Sequence, residues 1–183
     1  MLNWKRALTA GALTFAALAG SAAAFAESKE SIDVNVRDSL HSFYAKNPVN
    51  KELATRSAGM LVFPRITKGG AGVAGEYGEG VLRVHGKTVD YYSIGGGSVG
   101  LTLGVGQRSE IIMFMSQPAL DKFIQEKGWV IGADAGIAVV SKGAGGDYDS
   151  KTMQKPILGF VYNEKGLLGD LSLDGSKISY IDK

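Results

Sequence analysis

Two glycine-flanked stretches of the chain carry spacings associated with chemistry. Gly70-Ala71-Gly72-Val73-Ala74-Gly75 has the G-x-G-x-x-G spacing that cradles a pyrophosphate, and Gly96-Gly97-Ser98-Val99-Gly100 has the G-x-S-x-G spacing of a hydrolase nucleophile elbow. Each motif works only when a helix opens directly behind it. The helix brings amide N–H groups and a dipole to the phosphate, or turns the serine sharply out of a strand. Glu76-Tyr77-Gly78-Glu79-Gly80 follows the first motif, and a strand-like stretch follows the second. Two carboxylates and two more glycines make a poor helix start and a poor phosphate cradle. The only histidines, His41 and His85, both precede Ser98, whereas the elbow's histidine follows its serine in the chain. Two His and no Cys cannot build a structural zinc site. Asp147-Tyr148-Asp149 lacks the further ligands of a calcium loop and reads as a solvated turn. No general acid/base pair assembles, so no catalytic residue, metal or cofactor is expected.

Both motifs lie in a stretch, 59–106, where glycine keeps interrupting strand-forming residues. Glycine costs backbone entropy in a strand and brings no side chain to pack, so its repeated use implies bends, bulges or close backbone approach. The expected fold class is therefore α+β: a single domain with a strongly curved, barrel-like antiparallel sheet and two or three helices packed on it. Residues 28–46 show helical spacing in Ile32, Val36, Leu40 and Phe43, with Ser28 or Ser31 as a cap and Asn47-Pro48 as the stop. A short helix is expected at 51–57. Met60-Leu61-Val62-Phe63 reads as a strand that leaves the sheet at Pro64. A hairpin is expected around His85-Gly86-Lys87, and a strand covered on both faces at 110–115. A helix capped by Ser116 and closed by Gly128 follows, then a strand at 129–140, a polar loop at 141–155, and a three-stranded meander from 157 to 181.

The first 26 residues form a separate unit. Lys5 and Arg6 precede an uncharged, Ala-rich run, and Ala24-Phe25-Ala26 supplies the small-x-small pattern of a signal-peptide cleavage site before Glu27. The expectation is a cleaved signal peptide, a mature domain at 27–183, and a periplasmic location, in places peripheral to a membrane. With no cysteine, the domain must stand on its core alone. Removing Lys5 and Arg6 from the 20 basic residues leaves 18 against 18 acidic ones. Bulk attraction to nucleic acid is therefore unsupported.

The ordered series Gly59-Met60-Leu61-Val62-Phe63, Lys68-Gly69-Gly70-Ala71-Gly72-Val73, Gly78-Glu79-Gly80-Val81-Leu82, Gly132-Ala133-Asp134-Ala135 and Lys165-Gly166-Leu167-Leu168-Gly169-Asp170 resembles the SYLF domain, also called the Ysc84 actin-binding domain. The resemblance spans roughly 54–181. Where family members often carry W-S-x-P after the first hairpin, this chain has Asp90-Tyr91-Tyr92-Ser93. What the resemblance implies is a lipid-binding module. Eukaryotic members are associated with phosphoinositide membranes and with actin; an exported chain meets neither in the ordinary course, which leaves anionic phospholipid or the membrane surface as the expected partner.

On the residues themselves, the candidate lipid-binding set is the 28–46 helix and its surroundings. Phe43 and the apolar stripe would insert, while Lys29, Arg37, Lys46, Lys51 and Arg56 meet lipid phosphates. The same stripe can instead cover the sheet, as amphipathic helices in globular domains usually do. The alternative functions are a structural or interaction protein of the cell envelope with a protein partner, and a carrier of a small apolar ligand.

Overall fold

The computed structural model describes residues 26–131, 137–141, 152–166 and 176–183, so nearly all of the expected leader lies outside it. Helix α1 (Lys29–Lys46) begins where Ser28 Oγ accepts the Ser31 amide at 3.2 Å. It stops at Asn47, whose side chain caps the next helix, α2 (Pro48–Arg56), by accepting the Val49 amide at 3.0 Å. Pro48 thus does two things. It ends one helix and, because its missing N–H is not needed in a first turn, it opens the next, which starts earlier than the expected 51.

Strands β1 (Gly59–Val84) and β2 (Lys87–Phe114) make one long antiparallel ribbon. Its turn is His85-Gly86, both at positive φ (49° and 78°), a two-residue connection whose twist matches that of the flanking strands. Pro64 does not end the first strand, contrary to the expectation. The ladder shifts register between Phe63 and Ile66, and this bulge accommodates the residue that cannot donate. Ser109 Oγ donates to the Pro64 carbonyl at 2.8 Å in compensation.

The glycines do bend the sheet. A Cβ on Gly70 would lie 2.1 Å from the Val73 carbonyl oxygen, one on Gly78 2.5 Å from that of Arg65, and one on Gly80 2.2 Å from that of Val62. The ribbon folds over between 70 and 74 and lays the second half of β1 face to face on the first. A further register shift between Ala71 and Val73 marks the fold line. Gly80→Val should cost about 1–3 kcal/mol by overpacking this crossing, read as a lowered urea midpoint. An unchanged midpoint would show that the two halves can part freely.

The second edge of β2 is shared. Residues 91–95 pair with β6 (Lys177–Ile181), and residues 106–114 pair with β5 (Ile157–Gly166). The first and last strands of the expected meander are β5 and β6, each on its own part of the β2 edge, while its middle strand, 167–173, lies outside the described residues. Short strands β3 (Gly128–Val130) and β4 (Ala138–Ser141) close the order β3-β6-β2-β5-β4, with β4 parallel to β5 and every other pairing antiparallel. Helix α3 (Gln117–Glu126) precedes β3. It ends on Lys127 in the left-handed region, with Gly128 already in the strand.

Alternate residues of the sheet face opposite cores. Leu61, Phe63, Ile112 and Phe114 join Phe123 of α3 and Trp129 on one side. Met60, Val62, Ile111 and Met113 join Ile32, Val36, Leu40 and Phe43 of α1 on the other. The segment 110–114 is covered on both faces, as its unbroken apolar run indicates. Each such side chain taken out of water contributes roughly 1.5–3 kcal/mol. The result is the α+β fold with a curled sheet.

Candidate functional site

Neither chemical motif finds the context it needs. Residues 70–75 lie within β1 and Ser98 lies within β2 opposite Ala74, with strand on both sides of each and no helix opening behind either. His41 is exposed on α1 and His85 is exposed in the hairpin turn. Asp147-Tyr148-Asp149 lies outside the described residues, among which no group of three or more His, Asp or Glu side chains is placed to hold a metal ion. Among them, too, no helix is long and apolar enough to cross a membrane.

The candidate lipid-binding residues are only partly brought together. Phe43 is 3% exposed and stacks among Phe160, Tyr162 and Tyr44, with ring centroids 5.1, 5.1 and 6.0 Å away. This corrects its assignment as an inserting residue. The curled sheet presents an apolar face that needs cover, and the stripe Ile32-Val36-Leu40-Phe43 provides it. The five cations stay exposed. Lys29 Nζ lies 5.6 Å from the Tyr91 ring centre and Lys46 Nζ 5.3 Å from that of Tyr162, while Arg56 pairs with Glu52 at 3.6 Å. At 1.5 Å per residue, Lys29 and Lys46 sit about 25 Å apart at opposite ends of α1. On α1 and α2, exposed Glu30, Asp38 and Glu52 are interspersed among the cations. They form a dilute basic strip rather than a pocket.

What the sequence did not reveal is a buried ionic cluster beneath the sheet's bend. Arg108, whose side chain is 2% exposed, donates through Nε to Glu110 at 2.9 Å and grips Glu76 with both terminal nitrogens at 2.8 and 3.2 Å. Ser176 Oγ donates to the same Glu76 carboxylate at 2.6 Å. Gly96 stands opposite Glu76 in the ladder, and a Cβ there would come within 3.2 Å of Glu76 Oε1, so the glycine leaves room for the carboxylate. Burial alone would raise the Glu76 pKa, but the hydrogen bonds from Arg108 and Ser176 outweigh it and hold the group below its usual value. Glu110 goes the other way. Burial pushes it up to about 7 despite Arg108, and its Oε2 is buried without a hydrogen-bond partner. The cluster pairs its charges internally, and Glu76 and Arg108 also border the cavities beside it. The Arg108/Glu110 i,i+2 spacing on one strand face was the only local signal for it; Glu76 and Ser176 arrive through register.

Beside the bend lies a cavity of about 390 Å³, lined by three carboxylates, Glu27, Glu76 and Glu79, together with Arg65, Thr67, Tyr77 and the glycines at 69, 75 and 78. This size falls in the range of small-molecule sites. Arg65 is half exposed and only loosely paired, 3.7 Å from the Glu27 carboxylate. Two of the most exposed large apolar side chains stand at the same bend, Val73 at 65% and Val105 at 68%, with Tyr77 at 37%. Val105 is opposite Gly69 in the ladder. The wall combines glycine backbone and a tyrosine ring with carboxylates that are each already paired, Glu76 with Arg108, Glu79 with Lys183 and Glu27 with Arg65.

Residues 95–182 match the model of the Ysc84 family, described as Las17-binding protein actin regulator. The matched stretch runs from residue 95 of β2 through β6; it includes the part of β2 that docks β5, only Gly95 of the part that docks β6, and none of β1. No curated protein matches the chain.

Proposed function

We propose that the chain, whose residues 95–182 match the model of the Ysc84 family, is an exported, non-enzymatic member of that family of binding domains and binds anionic phospholipid at the membrane surface. The observation that carries this reading is the exposure of Val73 and Val105 at the bend, with the half-exposed guanidinium of Arg65 on the same strand as Val73. Isolated exposed valines mean little, but two flanking one fold line are the apolar side chains a membrane surface would meet there. The cavity also favours a second use of the same site, the carriage of a single small apolar ligand. Lys29, Arg37, Lys46, Lys51 and Arg56 add salt-sensitive attraction, at roughly 1 kcal/mol for each cation that reaches an anionic surface. Their mixture with Glu30, Asp38 and Glu52 keeps that contribution modest.

Co-sedimentation with vesicles of neutral lipid, and of neutral lipid with 30% anionic lipid, tests the proposal. The exported protein should pellet with the anionic vesicles. Val73→Asp/Val105→Asp should weaken binding about tenfold or more while leaving the melting temperature close to the wild-type value, since both side chains already face water. Charge reversal at Arg37, Lys46 and Lys51 should weaken binding less, and the defect should fade with added salt. Absence of binding to either vesicle at low salt would rule out the lipid reading and favour an envelope-protein partner.

A further inference from the structure

Glu27 is the residue after Ala24-Phe25-Ala26, and every one of its polar groups is engaged. Its backbone nitrogen donates to Glu79 Oε2 at 2.9 Å, and its carbonyl accepts from Lys183 Nζ. Its carboxylate accepts from Ser31 Oγ at 3.2 Å and Asn35 Nδ2 at 2.9 Å, and faces Arg65 at 3.7 Å. The Glu79 side chain is 4% exposed on β1 and is held from its other side by Tyr77 Oη at 2.8 Å, while Lys183 Nζ lies 2.7 Å from Oε2. This is a large investment of polar contacts in one residue just ahead of a helix. A buried carboxylate that accepts from a backbone nitrogen immediately after a cleavage pattern is placed to receive a charge there.

We propose that Glu79, with Tyr77 and Lys183 around it, is a seat for the α-ammonium group that signal-peptide cleavage between Ala26 and Glu27 creates, so that the processed chain is locked by an ion pair the precursor lacks. The inference rests on the export reading but not on lipid binding. In the cleavage, water adds across the Ala26–Glu27 peptide bond under a signal peptidase. Ala26 leaves with the new carboxylate, and the nitrogen of Glu27 takes up protons to become –NH3+. Before cleavage the nitrogen is a neutral amide, which makes the 2.9 Å hydrogen bond without the charge. After it, the same position carries a full positive charge against Glu79. That charge sits at the positive end of the α1 dipole and shares Glu79 Oε2 with Lys183 Nζ, both of which oppose it. Glu79 and the carboxylate of Glu27 itself offset this opposition. Glu27 and Glu79 line the cavity beside the bend together with Glu76, which is already gripped by Arg108. The groups facing the amine from each side are therefore Glu79 and Tyr77 of β1, Lys183, Arg65, and the uncharged Ser31 and Asn35 of α1.

An unpaired α-amine titrates near ~7.7–8.0. Pairing with Glu79 holds its proton to higher pH in the folded chain, so the contribution is complete below that range and is lost as pH climbs through the folded value. The chain has no cysteine to titrate in the same window. The test uses the exported protein, shown by intact mass to begin at Glu27, beside the same chain retaining Ala26, whose amine stands one residue away from the seat. The Glu27-first protein should melt about 3–5 °C higher at pH 7, and the gap should close by pH 10. Glu79→Gln, made in both chains, should abolish the gap. The Ala26 comparison leaves the fold untouched, so the result does not depend on that variant folding. Equal melting at pH 7 would overturn the proposal. A mass retaining residues 1–26 would overturn it through the cleavage step, whatever the vesicle experiment shows.

Discussion

Arg108→Met is expected to lower stability by about 3–5 kcal/mol, or to prevent folding, because it strands two buried carboxylates. Glu76 and Glu110 are 8% and 1% exposed at their side chains, and both lose their only cation at hydrogen-bond distance. Urea denaturation gives the magnitude. A loss below about 1 kcal/mol would mean that water reaches the cluster and solvates the freed charges. Neutralising both acids in the same background, Glu76→Gln with Glu110→Gln, should restore part of the loss, since uncompensated charge is what costs. The pH dependence is a second reading of the same cluster. Glu110 titrates at about 7 in the fold, above the ordinary carboxylate value of 4.5. The folded state therefore holds this proton more tightly than the unfolded chain. Its stabilising effect is full below about 4.5 and is lost as pH rises through 7. Glu76, held low by Arg108 and Ser176, contributes in the opposite sense and loses its effect in acid. The melting temperature should consequently fall between pH 5.5 and 8, and Glu110→Gln should flatten that fall.

Phe43→Ala should cost about 3–5 kcal/mol, a large part of the ~5–15 kcal/mol that a domain has in total. The ring fills the space between α1 and the rings of Phe160 and Tyr162, and Asn50 Nδ2 donates to the Phe43 carbonyl at 2.8 Å, so the backbone there cannot easily move in to fill the cavity. Vesicle binding by the folded fraction should be unchanged. A variant that keeps its urea midpoint but loses lipid affinity would return Phe43 to the membrane surface and require α1 to leave the sheet.

What could be read in advance was whatever depends on near neighbours. The apolar spacing of Ile32, Val36, Leu40 and Phe43 defines α1 to within a residue, and His85-Gly86 defines the hairpin. The density of glycine between 59 and 106 signals curvature. Which face of α1 turns inward was not legible, because a stripe suited to lipid is equally suited to a sheet; the choice is made by the uncovered face formed by Met60, Val62, Ile111 and Met113. Pro64 misled because a proline is excluded from regular ladders but tolerated at a bulge, and the bulge is set by the partner strand. The cluster around Arg108 was hidden for the same reason. Glu76 is 32 positions away and Ser176 is 100 positions from Glu76, and only the pairing of β2 with β1 and β6 brings them together. The exposed valines at 73 and 105 look like any other strand residues until the fold line between them is known.

The shared second edge of β2 sets an order of events during synthesis. The β1–β2 ribbon is complete once Phe114 has been made, because its contacts are those of a hairpin. Its outer edge must wait. Ser93 lies 86 positions before Ser179, the residue it stands opposite in β6, so one half of that edge has no mate until almost the whole chain exists. Loop closure over such a span is slow compared with hairpin formation. Through that interval the nascent chain offers an unpaired strand edge, Tyr91-Tyr92-Ser93-Ile94-Gly95, to any other strand nearby, the condition under which intermolecular pairing competes with folding. Closing that edge therefore falls to the five-residue strand β6, near the end of the chain.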